Sequence, residues 1–294
     1  MTTRRSFLKA GSILTAGVLF TPEDFFFKQR PIGLQLYTIR DAMGKDVAGS
    51  LAKVSALGFK IVEGATYTGS MKFYGMEPEA FKTVLTQNNL SMPSSHYMLG
   101  EQLMNGKATE GTILHNWDKA VDDASKVGIK YMVCAYLFDS ERGGLDHYKY
   151  VAEQLNKAGE RCKKNGIQLC YHNHDFEFVA QNNQLPYDIL LNETNKNLVK
   201  MELDLYWVNK AGKDANTLFE QNPGRFPLFH LKDMDNTAKH GFTEVGSGVI
   251  DFKKIMDASD IAGLKYFFVE QDQTPGDPFV SIKKSIEYIK KNLV

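Results

Sequence analysis

The sequence predicts a single (β/α)8 barrel, because one helix-to-strand junction recurs and because the number of strands fits. At Gly58, Gly128, Gly166 and Gly263 a helical pattern ends at or just before a glycine, and an apolar run follows at once. Glycine readily adopts the left-handed conformation that closes a helix, so each of these sites indicates a helix followed by a strand. Such junctions at intervals along the chain predict alternating helices and strands.

Eight strands emerge when the intervals between these junctions are filled. They are predicted near 32–38, 60–64, 91–97, 130–136, 167–173, 199–204, 227–231 and 265–270. The clearest helical patterns are 110–127, 145–164 and 278–291, and a further helix begins with Asp251 as its N-cap. Most strands are continuous apolar runs, as expected for a parallel sheet covered by helices. Eight strands over about 260 residues match a TIM barrel in number and size.

The rival architecture is a doubly wound α/β sheet. No G-x-G-x-x-G motif opens a helix after the first predicted strand, which disfavours a dinucleotide-binding sheet. No Pro-rich or Ser-rich linker divides the chain, so we predict one domain over residues 29–294.

Composition narrows the class of protein. Among the 294 residues 43% are hydrophobic and 24% are charged, which is typical of a soluble globular protein. Thirty-five basic residues balance thirty-five acidic ones, so nucleic acid is not the expected partner. The three cysteines, Cys134, Cys162 and Cys170, show no C-x-x-C spacing. Because Cys134 and Cys170 lie in apolar runs, we expect buried, inert thiols rather than disulfides or a thiolate zinc site.

The N-terminus has the pattern of a targeting segment. Arg4 and Arg5 precede Phe7-Leu8-Lys9 and a mildly apolar stretch at 10–20, a pattern that resembles a bacterial twin-arginine signal. The stretch is too short and too rich in Gly, Ser and Thr to span a bilayer, so no stable membrane insertion is expected. We therefore predict a periplasmic protein and treat residues 1–28 as a separate signal segment.

Carboxylates and imidazoles cluster at the ends of four consecutive predicted strands. These residues are His172, His174 and Glu177 after the fifth strand, Glu202 and Asp204 on the sixth, His230 and Lys232 on the seventh, and Glu270 and Asp272 on the eighth. In a TIM barrel the carboxyl ends of the strands form one rim, where the active site lies. Charged groups there are desolvated unless a partner compensates them, and a divalent cation is such a partner. A mixed set of carboxylates and imidazoles favours one Mn²⁺, Zn²⁺, Co²⁺ or Fe²⁺ over Ca²⁺.

The same positions carry a family resemblance. The runs HNHDFEF at 172–178, ELDLYWV at 202–208, HLKD at 230–233 and VEQD at 269–272 resemble the sugar phosphate isomerase/epimerase family. That family belongs to the xylose isomerase-like TIM barrel superfamily, which includes inosose dehydratases, 3-keto-glycoside-processing proteins and endonuclease-IV-type enzymes. The resemblance extends over nearly everything after residue 31. It identifies the superfamily better than the substrate.

Residue roles follow from this resemblance. In ketose 3-epimerases of the superfamily, Glu, Asp, His and Glu from strands five to eight hold the metal. The last three match Asp204, His230 and Glu270, whereas strand five offers His172 and His174 in place of the first glutamate. We assign His174 as the fourth ligand and His172 as a catalytic residue, with the reverse assignment left open.

Further roles are assigned to polar and aromatic residues near the strand ends. Glu177 and Lys232 complete the predicted catalytic group, Lys232 as a cationic donor to developing negative charge. The candidate substrate-binding residues are Gln35, Tyr37, Glu63, His96 and Trp207. An ion pair would equally explain Glu63, a hydrogen-bonded core histidine would explain His96, and core packing would explain Tyr37 and Trp207.

The hypothesis is proton transfer on a sugar or keto-sugar. The metal would bind a ketone oxygen and a neighbouring hydroxyl, stabilising the enediolate that forms when an α-proton leaves. Returning the proton elsewhere gives isomerisation or epimerisation, and expelling a β-substituent gives elimination. Export favours unphosphorylated substrates, since phosphorylated sugars are mainly cytoplasmic.

Two other classes of protein remain as alternatives. One is a catalytically silent carbohydrate-binding barrel. The other is an endonuclease-IV-type metal nuclease, which the neutral charge and the export signal both oppose. Because related barrels are often dimers or tetramers, the resemblance also leaves a homo-oligomer open.

Overall fold

The computed structural model describes residues 30–294, in which eight parallel strands close into a barrel. The barrel strands are β1 (Ile32–Gln35), β2 (Ile61–Gly64), β3 (Ser91–Tyr97), β4 (Tyr131–Cys134), β5 (Gln168–His172), β6 (Val199–Asp204), β7 (Leu228–Leu231) and β10 (Tyr266–Val269). β1 pairs with both β2 and β10, which closes the ring. The predicted fold class is therefore confirmed. The predicted signal segment lies outside the described residues.

Helices follow the strands and surround the barrel. They are α1 (Arg40–Met43), α2 (Val47–Leu57), α3 (Pro78–Gln87), α4 (Trp117–Val127), α5 (Leu145–Lys164), α6 (Pro186–Glu193), α7 (Leu205–Lys210), α8 (Ala215–Gln221), α9 (Phe252–Asp257), α10 (Ser259–Ala262) and α11 (Pro278–Asn292). Short 3-10 turns cover Leu36–Ile39, Asp139–Glu141 and Phe176–Phe178.

Helix ends obey the local rules on which the sequence analysis depended. Gly58, Gly128 and Gly263 cap α2, α4 and α10 in the left-handed conformation, with φ values of 100°, 99° and 81°. Asp251 caps α9, as predicted, by accepting a hydrogen bond from the Lys254 amide at 3.0 Å. Caps of this kind contribute about 1 kcal/mol each.

Two predicted boundaries were wrong, each for a local reason. The first strand ends at Gln35, because the Gln35 side chain accepts a hydrogen bond from the Tyr37 amide and starts a 3-10 turn. The helix predicted at 110–127 begins only at Trp117. Gly111 and Asn116 have φ values of 80° and 56°, left-handed conformations that a continuous helix excludes.

The barrel interior consists of an apolar layer below an ionic one. Ile61, Val133, Cys170, Leu228 and Phe268 form a buried cluster of their own. Side chains on a strand alternate between its two faces, so the residue two places further along faces the same interior. On β2, β5, β7 and β10 those residues are Glu63, His172, His230 and Glu270. The fold thus places ionisable groups directly above a dry apolar floor.

All three cysteines are buried, as predicted for Cys134 and Cys170, and burial raises the pKa of each thiol. They belong to the packing of the barrel and its helices.

A small antiparallel hairpin follows β7. β8 (Asp233–Met234) pairs antiparallel with β9 (Phe242–Thr243). The Asp233 carboxylate accepts hydrogen bonds from the amides of Met234, Gly246, Gly248 and Ile250. Asp233 therefore shapes this loop, while its neighbour Lys232 points into the barrel.

Candidate metal centre and catalytic cavity

A cavity of about 480 Å³ opens at the carboxyl ends of the strands. Its lining combines aromatic side chains with a smaller set of charged ones. The lining residues are Tyr37, Ala65, Thr66, His96, Met98, Ala135, Tyr136, Phe138, Arg142, His172, His174, Asp175, Phe176, Trp207, Lys232, Glu270 and Asp272. Mostly apolar walls around a few convergent polar groups are typical of a small-molecule site.

His230 lies fully buried beneath this cavity and contacts a carboxylate on each side. Its Nδ1 is 2.7 Å from Glu270 Oε2, and its Nε2 is 2.5 Å from Glu63 Oε2. Gln35 Nε2 donates to the same Glu63 oxygen at 2.8 Å. Burial alone would lower the pKa of His230, but Glu202, Glu270 and Glu63 together raise it well above the usual value. The ring is thus fixed between two negative groups.

Glu202 connects three imidazoles through one oxygen. Its Oε2 lies 2.7 Å from His96 Nε2, 3.0 Å from His172 Nδ1 and 3.2 Å from His230 Nε2. Glu202 was predicted at the rim but without a role of its own. Its position two residues before Asp204 was the available signal, because strand alternation puts both carboxylates inside the barrel.

The remaining ring nitrogens of His172 and His230 face a second group of carboxylates. Asp204 Oδ2 is 3.6 Å from His172 Nε2 and 3.9 Å from His230 Nδ1. Donor atoms of Asp204, His230 and Glu270 all lie within 4.8 Å of one another. Metal-binding histidines usually donate their other ring N–H to a carboxylate. Here Glu202 contacts the other ring nitrogen of His172, and Glu63 contacts that of His230.

The net charge of this centre, and its buried oxygens without hydrogen-bond partners, indicate whether it fits a cation. Five carboxylates crowd the centre: Glu63, Glu202, Asp204, Glu270 and Asp272. Lys232 and protonated His96 and His230 supply three positive charges, which leaves the centre about two charges negative. Glu63 Oε1 and Glu202 Oε1 are buried without a hydrogen-bond partner in the described part of the chain. Burial raises the pKa of Asp204 to about 6 despite Lys232 and His230. The residues therefore fit a divalent cation.

The structure places the two strand-five histidines in different surroundings. His172 is the last residue of β5 and lies among the carboxylates, so its Nε2 is the donor beside Asp204. His174 lies beyond the strand end and packs between Phe176 and Trp207, with ring centroids 5.5 Å and 5.3 Å away. His172, rather than His174, is therefore the strand-five imidazole that lies beside Asp204 and His230.

His174 forms part of the cavity wall. Its Nδ1 is buried and has no hydrogen-bond partner within residues 30–294, so Nε2 is the nitrogen available to a substrate. Burial, with Lys232 as a further cause, lowers the pKa of His174 well below its usual value. The imidazole is neutral near pH 7 and can accept a proton.

Glu177, predicted as a catalytic residue, is not among the residues that line the cavity. Its fully buried carboxylate accepts hydrogen bonds from Tyr171 Oη at 2.6 Å and from the His174 amide at 2.8 Å. The 3-10 turn at Phe176–Phe178 carries the side chain back beneath the loop. Glu177 therefore fixes the loop that carries His174. Burial, outweighing these hydrogen bonds, raises the pKa of Glu177 to about 7.

This pKa predicts a pH-dependent stability difference between the wild type and Glu177→Gln. The folded-state pKa of about 7 exceeds the unfolded value of 4.5, so ionisation of the buried carboxylate lowers stability as pH rises. Between about pH 5 and about pH 8 the wild type should lose ~2–3 kcal/mol relative to the variant. Chemical denaturation of both proteins at each pH measures this difference. A difference that stays constant with pH would contradict the proposed environment of Glu177.

The five predicted substrate-binding residues fall into two groups. Tyr37, His96 and Trp207 line the cavity. Gln35 and Glu63 are fully buried and are absent from the lining. Gln35 donates to Glu63, and Glu63 contacts His230 beneath the cavity.

Several lining residues were not predicted, and four of them lie in the loop after β4: Ala135, Tyr136, Phe138 and Arg142. Arg142 stacks on Phe176 with its guanidinium carbon 3.6 Å from the ring centroid, and it also contacts Tyr136. Glu141 orders this loop by accepting hydrogen bonds from the amides of Glu101 and Gln102 at 2.8 Å and 3.1 Å. Contacts between residues some forty positions apart leave no local sequence signal.

This barrel with its ionic rim defines a class of protein that comparison with known sequences identifies. The chain belongs to the xylose isomerase-like TIM barrel family, whose model matches residues 51–292. This confirms the superfamily expected from the sequence motifs.

Individual relatives are more distant. An inosose dehydratase of Clostridium perfringens is 29% identical over 165 residues, which cover 50% of this chain and 55% of that protein. The chain thus matches about half the length of that relative. An inosose dehydratase of Lacticaseibacillus casei is 25% identical over 74% of this chain and 81% of that protein. The crystal structure of a sugar phosphate isomerase/epimerase from Parabacteroides distasonis superposes with a TM-score of 0.77 at 27% identity, over 90% of this chain and 98% of that one.

Within residues 30–294, none of the helices combines the length and the apolar character needed to cross a membrane.

Proposed function

We propose that this protein is a divalent-metal-dependent enzyme that moves a proton on the carbon next to a carbonyl group of a sugar or keto-sugar. The observation that carries the proposal is the convergence of His172, Asp204, His230 and Glu270 at the base of the aromatic cavity. The relatives bear the names of a sugar isomerase/epimerase and of dehydratases, which agrees with proton abstraction as the shared first step.

His172, Asp204, His230 and Glu270 would hold the metal, with His172 and His230 oriented by Glu202 and Glu63. A bound divalent cation would supply Lewis-acid polarisation of a substrate oxygen. Two imidazoles and two carboxylates favour Zn²⁺, Mn²⁺, Co²⁺ or Fe²⁺ over Ca²⁺.

His174 is the proposed general base. Its imidazole is neutral, lines the cavity and has Nε2 free to take the α-proton. The hydrogen bond from its amide to Glu177 fixes the loop, so the ring is held in position before substrate arrives. A positioned base of suitable pKa typically contributes about 10²- to 10⁴-fold in rate.

Lys232 is the proposed stabiliser of negative charge on the substrate. Its ammonium group lines the cavity beside Asp204 and Glu270, at the base where the reacting oxygen would lie. A cation in a desolvated site stabilises charge that develops in the transition state better than water does.

The aromatic walls would bind the sugar and exclude water. Phe176, Tyr136 and Trp207 present ring faces and edges around His174. Trp207 Nε1 is buried with no hydrogen-bond partner among the described residues. It would donate a hydrogen bond to a sugar hydroxyl, since an indole N–H can act only as a donor.

Solvent hydrogen exchange tests this function directly. The metal-loaded wild type should incorporate deuterium from D₂O into the α-position of an unphosphorylated keto-sugar, detected by mass spectrometry or NMR. Isomerised or epimerised product would indicate proton return, whereas loss of a hydroxyl or glycosyl group would indicate elimination. Binding of keto-sugars without exchange or product would contradict the proposal and favour a silent carbohydrate-binding barrel.

We also propose export through the twin-arginine route, on the basis of Arg4 and Arg5 and the apolar stretch at 10–20. A periplasmic location favours unphosphorylated substrates. Fractionation of host cells tests the location, and detection only in the cytosol would contradict it.

A further inference from the structure

Lys232 contacts two carboxylates of the proposed metal-ligand set and one carboxylate outside it. Its ammonium nitrogen lies 3.0 Å from Asp204 Oδ2 and 2.7 Å from Glu270 Oε2, the two carboxylate oxygens that face the proposed metal position. It also lies 2.9 Å from Asp272 Oδ1, which does not belong to the proposed ligand set. The Lys232 side chain is only 3% exposed, so these three carboxylates supply its charge compensation.

The ammonium group and a divalent cation would interact with the same two oxygens. Both are positive, and the surroundings are buried, so their mutual repulsion is screened far less than in water. Each therefore weakens the hold of Asp204 and Glu270 on the other. The affinity for metal depends on how much of the Lys232 charge is compensated elsewhere.

Asp272 is placed to provide that compensation. It lies two residues beyond Glu270 and lines the cavity, and its side chain is 21% exposed compared with 5% for Glu270. Its negative charge therefore compensates the Lys232 ammonium group from the cavity side, so less of that compensation has to come from Asp204 and Glu270. The ring centroid of Trp207, 6.0 Å from the Lys232 nitrogen, is a further neighbour.

We infer that Asp272 is a positioning residue that raises the metal affinity of the centre by binding Lys232, which otherwise competes with the metal for Asp204 and Glu270. This inference rests on the proposed metal-dependent function. It assigns to Asp272 neither a ligand role nor direct contact with the reacting atoms.

The test is a double-mutant cycle on metal affinity, which needs no substrate. Metal-free wild type, Lys232→Met, Asp272→Asn and the double variant are titrated with Zn²⁺ or Co²⁺ in competition with a chromophoric chelator. Lys232→Met should bind metal about tenfold more tightly than the wild type, and Asp272→Asn about tenfold more weakly. In the Lys232→Met background, Asp272→Asn should have no further effect. In the presence of Lys232, Asp272→Glu should keep the affinity near that of the wild type.

Each contrary result has a distinct meaning. If Asp272→Asn weakens binding equally with and without Lys232, Asp272 acts on the metal through its own charge, and the inference is overturned. Weaker binding by Lys232→Met also overturns it. If the wild type binds one metal per chain and neither variant changes the affinity, the inference fails while the proposed function stands. If the wild type binds none, both fail.

Lys200→Met is the matched control. Lys200 lies near the start of β6, at the opposite end of the barrel, where its ammonium group donates to the Gly224 carbonyl oxygen at 2.8 Å. The Lys200→Met variant should bind metal with wild-type affinity. Circular dichroism and thermal melting of each variant establish that the barrel is intact.

Discussion

Replacing His174 with glutamine is expected to lower α-proton exchange by about 10²- to 10⁴-fold while leaving the metal bound. Glutamine keeps much of the side-chain volume and a polar end but cannot act as a general base near neutral pH. The loop should retain its shape, because Glu177 binds the His174 amide rather than its ring. Exchange rates in D₂O and elemental metal analysis of the same sample measure the two quantities together.

His147→Gln is the control for the His174 substitution. His147 is a half-buried residue on α5, with its Nε2 3.0 Å from Glu101, and it does not line the cavity. It should exchange protons at the wild-type rate. Loss of metal together with activity in His174→Gln would instead support His174 as a ligand, the role first assigned to it from sequence. Full activity with metal bound would show that another group is the base.

The second large effect is expected at Asp204, whose carboxylate faces both His172 and His230. Asp204→Asn removes a negative charge from the proposed ligand set and should weaken metal binding by roughly 100-fold or more, since loss of even an outer partner costs 10–100-fold. The fold should survive, because the apolar barrel layer of Ile61, Val133, Cys170, Leu228 and Phe268 lies below this level.

Asp123→Asn provides a matched substitution of a buried aspartate elsewhere. Asp123 on α4 accepts a hydrogen bond from Tyr67 Oη at 2.7 Å and pairs with Lys119 and Lys126. The Asp123→Asn variant is expected to be less stable than the wild type, whereas its metal content should stay at the wild-type level.

Much of the architecture could be predicted because local chemistry determines it. A glycine that closes a helix before an apolar run is visible in the sequence, and three of the four such glycines are left-handed caps while Gly166 follows the Asn165 cap of α5 with φ of 70°. The cluster of ligand-type residues at the rim could also be predicted from the sequence. Ligand-type residues that end apolar strands have few roles in packing, and parallel strands bring their carboxyl ends together.

The sequence predicted the individual roles of neighbouring site residues less accurately than it predicted the fold. His172 and His174 are two positions apart, so alternation alone assigns both to the barrel interior. Only the end of β5 at His172 separates them, and no helix signal or proline marks that end. Glu177 lies in the 3-10 turn at Phe176–Phe178, where it accepts a hydrogen bond from Tyr171, and neither the turn nor this contact has a sequence pattern that predicts it.

The central claim is that four strands of this barrel hold one divalent metal. Its most direct test is elemental analysis of wild type, Asp204→Asn and Asp123→Asn after identical reconstitution with Zn²⁺, Mn²⁺ and Co²⁺. We expect about one metal per chain in the wild type and in Asp123→Asn, and little in Asp204→Asn. A wild type that holds no metal under any of these conditions, or an Asp204→Asn variant that holds as much as the wild type, would contradict the claim.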